Sequence, residues 1–141
     1  MSVSSVAGLL AAGSLLFGLG APAAAPAKAS GPYPMAKYAS TSAEDGRLRS
    51  GCGFYAYTYR VKPPTEIWGL ETTLVDPRGK VIASGAYLSG SNPTTDRVAF
   101  RFCRNTTVPG RFKIRAKFSY KSGPGENATD GSARTSTFYL R

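Results

Sequence analysis

The sequence predicts an all-β fold: a two-sheet antiparallel β-sandwich of about seven strands, stapled by one disulfide. Three observations predict it. Apolar and polar residues alternate in several segments, most clearly in RFKIRAKFSYK from Arg111 to Lys121. Successive strand side chains point to opposite faces, so such a segment buries one face and wets the other. Turn-forming residues recur roughly every 8–12 residues from Gly51 onward, the spacing of a sandwich. Two cysteines, Cys52 and Cys103, stand in a chain that opens like an exported protein, where a pair of cysteines forms one bridge. A small closed barrel satisfies the same strand pattern and is the alternative architecture.

The opening residues read as a leader. Val6 to Leu19 is an uncharged apolar run of 14 residues, the length of a signal-peptide core and short for a membrane span. Ala27-Lys28-Ala29 supplies a small-x-small cleavage pattern, which makes residues 1–29 a signal peptide and Ser30 the new N-terminus. No Lys or Arg precedes the apolar run, so a longer leader or an atypical signal is implied, with an uncleaved anchor as the alternative. The expected location is extracellular, with no membrane span in the mature chain. Residues 30–46, rich in Ser, Ala and Pro, read as an N-terminal arm in which Met35 to Thr41 can add a short edge strand. Residues 47–141 form the sandwich domain.

Strand by strand, Cys52 to Val61 (CGFYAYTYRV) has high β-propensity and stops at Pro63-Pro64. Glu66 to Val75 places Trp68, Leu70, Thr72 and Leu74 on one face. Asp76-Pro77-Arg78-Gly79 is a tight turn, with Pro preset at its second position and Gly at its fourth. Lys80 to Leu88 follows, interrupted by Gly85. Arg97 to Cys103 alternates again, Asn105 to Gly110 leads into the Arg111–Lys121 strand, and Ser122 to Gly131 is a Gly- and Asx-rich loop. Arg134 to Leu140 is the last strand. After the leader no segment has a helical period.

The order Cys…Trp…Cys within seven strands resembles immunoglobulin-like sandwiches. The entry PG-x-F-x-I-x-A at Pro109–Ala116 is similar to the penultimate strand of secreted bacterial modules of that kind. The resemblance spans Cys52 to Arg141. It departs from the antibody pattern in having Arg101, not a tyrosine, two residues before Cys103, and in placing Trp68 sixteen residues after Cys52. It implies binding or adhesion more often than catalysis, and a sandwich by itself does not fix function.

Charge and residue inventory narrow the function. The chain has 18 Lys and Arg against 8 Asp and Glu, a net charge of +10, and removal of the leader with its single Lys28 leaves +9. Such a surface is drawn to anionic partners, and export argues against nucleic acid among them. If Arg97–Cys103 and Arg111–Lys121 form a hairpin, Arg97 and Arg101 join Arg111, Lys113, Arg115 and Lys117 in one basic face for a polyanion. The bland reading of that row is a solvated sheet face. Tyr55, Tyr57 and Tyr59 share one side of their strand. Facing out, they form an aromatic ladder suited to planar or sugar ligands; facing in, they are core. Cys103 shares parity with Arg101. So either a bulge or strand end turns its sulfur inward, or Cys52 also points outward, the tyrosines point in and the bridge lies at an edge.

Catalysis has little support: the chain has no His, no G-x-S-x-G elbow and no paired acids. Two cysteines without His cannot build a zinc site. The loop Gly125–Gly131 lacks EF-hand spacing for Ca²⁺, so no metal and no cofactor is implied. Asn105-Thr106-Thr107 and Asn127-Ala128-Thr129 match glycosylation acceptors, relevant only in a glycosylating host. The expectation is a secreted, non-catalytic binding or adhesion module for an anionic extracellular or cell-surface partner. A protein-interaction or inhibitor domain presenting the loops Ser89–Asp96 and Ser122–Ser132 is the alternative, and a small secreted hydrolase a further one.

Overall fold

The computed structural model describes residues 31–141, so the predicted leader lies outside the described residues. Seven strands follow one another: β1 (Ala39–Ser42), β2 (Cys52–Val61), β3 (Ile67–Val75), β4 (Val81–Leu88), β5 (Thr95–Cys103), β6 (Gly110–Lys121) and β7 (Thr129–Leu140). They make two antiparallel sheets, β1-β2-β5 and β4-β3-β6-β7. The two-sheet sandwich is therefore the architecture, and the barrel is not. Among the described residues no helix is long and apolar enough to cross a membrane.

The alternation read from the sequence sets the core. From β3 come Trp68, Leu70, Thr72 and Leu74; from β6, Phe112, Ile114, Ala116 and Phe118; from β7, Ala133, Phe138 and Leu140. The facing sheet contributes Tyr55, Tyr57, Tyr59 and Val61 of β2 with Phe100 and Phe102 of β5. Each large side chain fully buried in this way is worth about 1.5–3 kcal/mol relative to exposure. The N-terminal arm is part of the body. Met35 and Ala39 are buried, and β1 pairs with the last four residues of β2. After Ser42 the chain crosses to the other sheet, where Gly46 forms a parallel bridge with Leu140.

The disulfide joins Cys52 to Cys103, directly opposed residues of neighbouring strands in one sheet. Antibody-type domains bridge their two sheets instead. Parity explains the difference. Residues 52, 54, 56 and 58 of β2 point away from the core, and Cys52 is exposed. Of the two arrangements compatible with the sequence, the one with outward cysteines and inward tyrosines is observed.

The predicted turn after β3 is present, with the Gly79 N–H donating to the Asp76 carbonyl at 2.9 Å and Gly79 at φ +83°, a conformation glycine adopts freely. The buried Asp76 carboxylate organises it. Its Oδ1 accepts the Arg78 and Lys80 N–H groups, each at 2.9 Å, and its Oδ2 accepts the Thr107 hydroxyl at 2.9 Å. Burial pushes this carboxyl's pKa up, but hydrogen bonds from Lys80, Thr107 and Arg78 outweigh it and hold it below the usual value. A lowered native pKa gives stability that is present above the unfolded value, about 3.9, and lost as pH falls through the native one. Asp76→Asn is expected to cost about 2 kcal/mol at neutral pH. Urea titrations should find the gap to wild type narrowing below about pH 4; a pH-independent gap would assign the loss to shape alone.

Candidate functional site

The outer face of the four-stranded sheet carries the basic row. Arg111, Lys113, Arg115 and Lys117 occupy alternate positions of β6 and are all exposed, with side chains about 6.8 Å apart along the strand. Their surroundings differ. Lys117 pairs with Asp130 at 3.1 Å and lies opposite Glu71 of β3. Arg111, Lys113 and Arg115 have no salt bridge among the described residues. They form one wall of a shallow groove of about 400 Å³, completed by Thr135 and Thr137 of β7 and by Tyr33. The register of β6 on β7 shifts between Ile114 and Ala116, which sets both Arg134 and Thr135 of β7 against Arg115. Such a bulge re-aims side chains, and the Arg134 guanidinium lies 5.7 Å from the centre of the Tyr33 ring.

Arg97 and Arg101 are not part of this face. The expected hairpin of β5 with β6 does not form: β5 pairs with β2 in the three-stranded sheet, and β6 with β3 and β7 in the other. A 3₁₀ turn at Arg104–Thr106 and the buried Thr107 carry the chain across the sandwich, about 10 Å from sheet to sheet. Arg97 and Arg101 therefore project from the opposite outer face, where Arg101 is the cross-strand partner of Phe54 and Arg97 of Thr58. Phe54 is 65% exposed.

The aromatic ladder Tyr55, Tyr57 and Tyr59 is core, not surface: the three are 7%, 2% and 0% exposed. Two of the rings stack diagonally on β5, Tyr55 on Phe102 at 4.2 Å and Tyr57 on Phe100 at 4.0 Å between centroids. Tyr59 stacks on Tyr87 of the facing sheet at 4.4 Å. Rings of this size bury too much apolar area to be left on a sheet surface when the core can take them. Their hydroxyls are satisfied inside. The Tyr57 hydroxyl meets Thr72 Oγ1 at 2.7 Å and the Tyr87 hydroxyl at 2.6 Å, tying the two sheets together, and Tyr59 donates to the Pro93 carbonyl at 2.8 Å. Burial raises the pKa of the Tyr57, Tyr59 and Tyr87 hydroxyls, which keeps these three protonated near neutral pH.

Among the described residues no three of His, Cys, Asp and Glu gather as metal ligands. In the segment weighed for Ca²⁺, Asp130 belongs to β7 and is engaged by Lys117. Sequence reasoning missed Tyr33, Thr135 and Thr137, because nothing in one strand reveals its neighbours. The period-two spacing of Thr135 and Thr137 in RTSTFYL was the available signal for the pair from β7. No protein-family model matches this chain, and no curated protein is similar to it.

Proposed function

We infer that this is a secreted, non-catalytic binding module of immunoglobulin-like type, which takes a linear anionic polymer outside the cell on the outer face of β6. The observation that supports this most directly is the row Arg111–Lys113–Arg115: three cations with no salt bridge among the described residues, at alternate positions of one strand beside threonine hydroxyls. A polymer of sulfate or phosphate groups can meet the three charges in sequence, with Thr135 and Thr137 offering hydrogen bonds from the next strand. The net charge of +10 on the full chain adds long-range attraction.

Binding of the purified protein to a sulfated glycan and to a phosphate-bearing polymer, followed across a salt series, tests this. Affinity is expected to fall steeply with salt. Replacing Arg111, Lys113 and Arg115 together with Gln should weaken binding about 10–100-fold and flatten the log–log salt slope by about 2–3. Arg97→Gln with Arg101→Gln is the internal control and should change little, since those residues lie on the other face. Salt-independent binding, or a triple variant equal to wild type, would overturn the reading.

A further inference from the structure

A sandwich with these strand orders has four outer edges: β1 and β5 in one sheet, β4 and β7 in the other. An open edge displays N–H and C=O groups that pair with any extended chain, and folded proteins blunt such edges. Three of the four are blunted here. β1 is four residues long. β7 is covered by its own chain, since its edge accepts Met35 N–H at Ser132, Gly46 N–H at Tyr139 and Leu48 N–H at Arg141. β5 carries Arg97 and Arg101, and the Asp96 carboxylate accepts the Arg97 N–H at 2.8 Å.

Among the described residues β4 has no such protection. It contains neither charge nor proline, and it begins a run of 15 uncharged residues, Val81 to Thr95, the longest in residues 31–141. The direction of its backbone groups follows from one bond, Ser89 N–H to the Trp68 carbonyl. In an antiparallel ladder this sense alternates. Tyr87, Gly85 and Ala83 therefore bond to β3, while Leu88, Ala86 and Ser84 turn their backbone groups outward. Leu88 is closed by its own turn, donating to Asn92 Oδ1 and accepting from the Asn92 N–H, each at 2.9 Å. Ser84 and Ala86, both exposed, remain open.

We propose that β4 is a self-association edge, on which a second copy of this chain pairs antiparallel, β4 to β4, across a twofold axis at Gly85. The axis sets Ser84 opposite Ala86 of the second copy, and Ala86 opposite its Ser84, so that the four open groups of each strand are met reciprocally. Such pairing is isologous and closes at two copies. It also brings Leu88 of one copy towards Val81 of the other; these residues, 58% and 55% exposed, are two of the large apolar side chains left on the surface. Charge selects the partner. Molecules this basic repel one another at most approaches, and the twofold axis joins them where each has its longest uncharged run. The resulting eight-stranded sheet carries both β6 rows on one side, five strand spacings or about 24 Å apart. That arrangement lets one long polyanion engage two rows. The dimer itself rests on the edge geometry and not on the polymer reading.

Sedimentation equilibrium of the purified protein from about 1 µM to 1 mM is expected to follow a monomer–dimer equilibrium. Ala86→Pro removes an outward N–H without touching the β3 ladder, and Ser84→Lys charges the edge. Each should weaken dimerisation at least about tenfold while leaving thermal unfolding of the dilute protein unchanged. Amide exchange at Ser84 and Ala86 should slow as protein concentration rises. A monomer throughout the range, a dimer indifferent to both variants, or protection of these amides only when an unrelated extended peptide is added would overturn the proposal. Loss of polymer binding with dimerisation intact would count against the β6 reading alone.

Discussion

Removing the Cys52–Cys103 bridge is expected to lower the stability of the domain by about 4 kcal/mol, and its melting temperature by about 15–25 °C. The bridge closes 51 residue steps of chain, and the cost arises mainly from the freedom that the unfolded chain regains. The native state should hardly register the change. Both sulfurs lie on the outer side of the three-stranded sheet, so no cavity opens, and the β2–β5 ladder persists around the site. Because domains of this size carry about 5–15 kcal/mol in total, the reduced protein should remain folded at room temperature in most of that range. Thermal unfolding by circular dichroism, with and without reductant and for Cys52→Ser with Cys103→Ser, measures the effect. A loss under about 1 kcal/mol would mean that the unfolded chain is already constrained near this pairing.

Gly85→Ala is expected to cost about 3 kcal/mol, unusually much for the addition of one methyl group. A Cβ at Gly85 falls 2.8 Å from the Tyr57 hydroxyl, 2.8 Å from the Tyr87 hydroxyl and 2.9 Å from Thr72 Oγ1. These atoms are the tips of side chains, but the tips are held: Tyr57 is bonded to both of the others and its ring is stacked on Phe100. Making room breaks a buried hydrogen-bonded group, which adds a desolvation cost to the steric one. Tyr57→Phe alone should cost about 1–2 kcal/mol and removes one of the obstructing oxygens. The double variant should then be less destabilised than the sum of the two, in urea unfolding, by about 1 kcal/mol. Strict additivity would show that the clash is relieved elsewhere.

The sequence carried the strands well because their periodicity is local. Cys52–Val61 has the predicted limits, and the other inner strands shift by a residue or two. The last strand starts at Thr129 and not at Arg134, and takes in residues 129–131 of the predicted loop, where Asp130 and Gly131 are poor strand formers. They pair with β6 all the same, Gly131 providing the absent side chain that lets Pro34 approach. The basic face was legible only in part. Parity says that Arg97, Arg101, Arg111 and Lys113 all point outward, which they do, but not outward from which sheet. A connection as short as residues 104–109 can turn back into a hairpin or step across to the facing sheet, and composition does not separate the two. The tyrosine question was decidable in principle, since outward Arg101 forces outward Cys103, outward Cys52 and inward tyrosines once β2 and β5 are neighbours. That adjacency is a nonlocal fact.

The in-sheet bridge also has a mechanical meaning. A pull applied between the two ends of the domain can lengthen only the chain outside Cys52 and Cys103. The 51 residue steps inside the loop, about 170 Å of potential extension, are withheld. Under load the molecule would give first by peeling β1, β6 and β7 while β2 and β5 stay joined at the bridge, so its yielding length is fixed by one covalent bond.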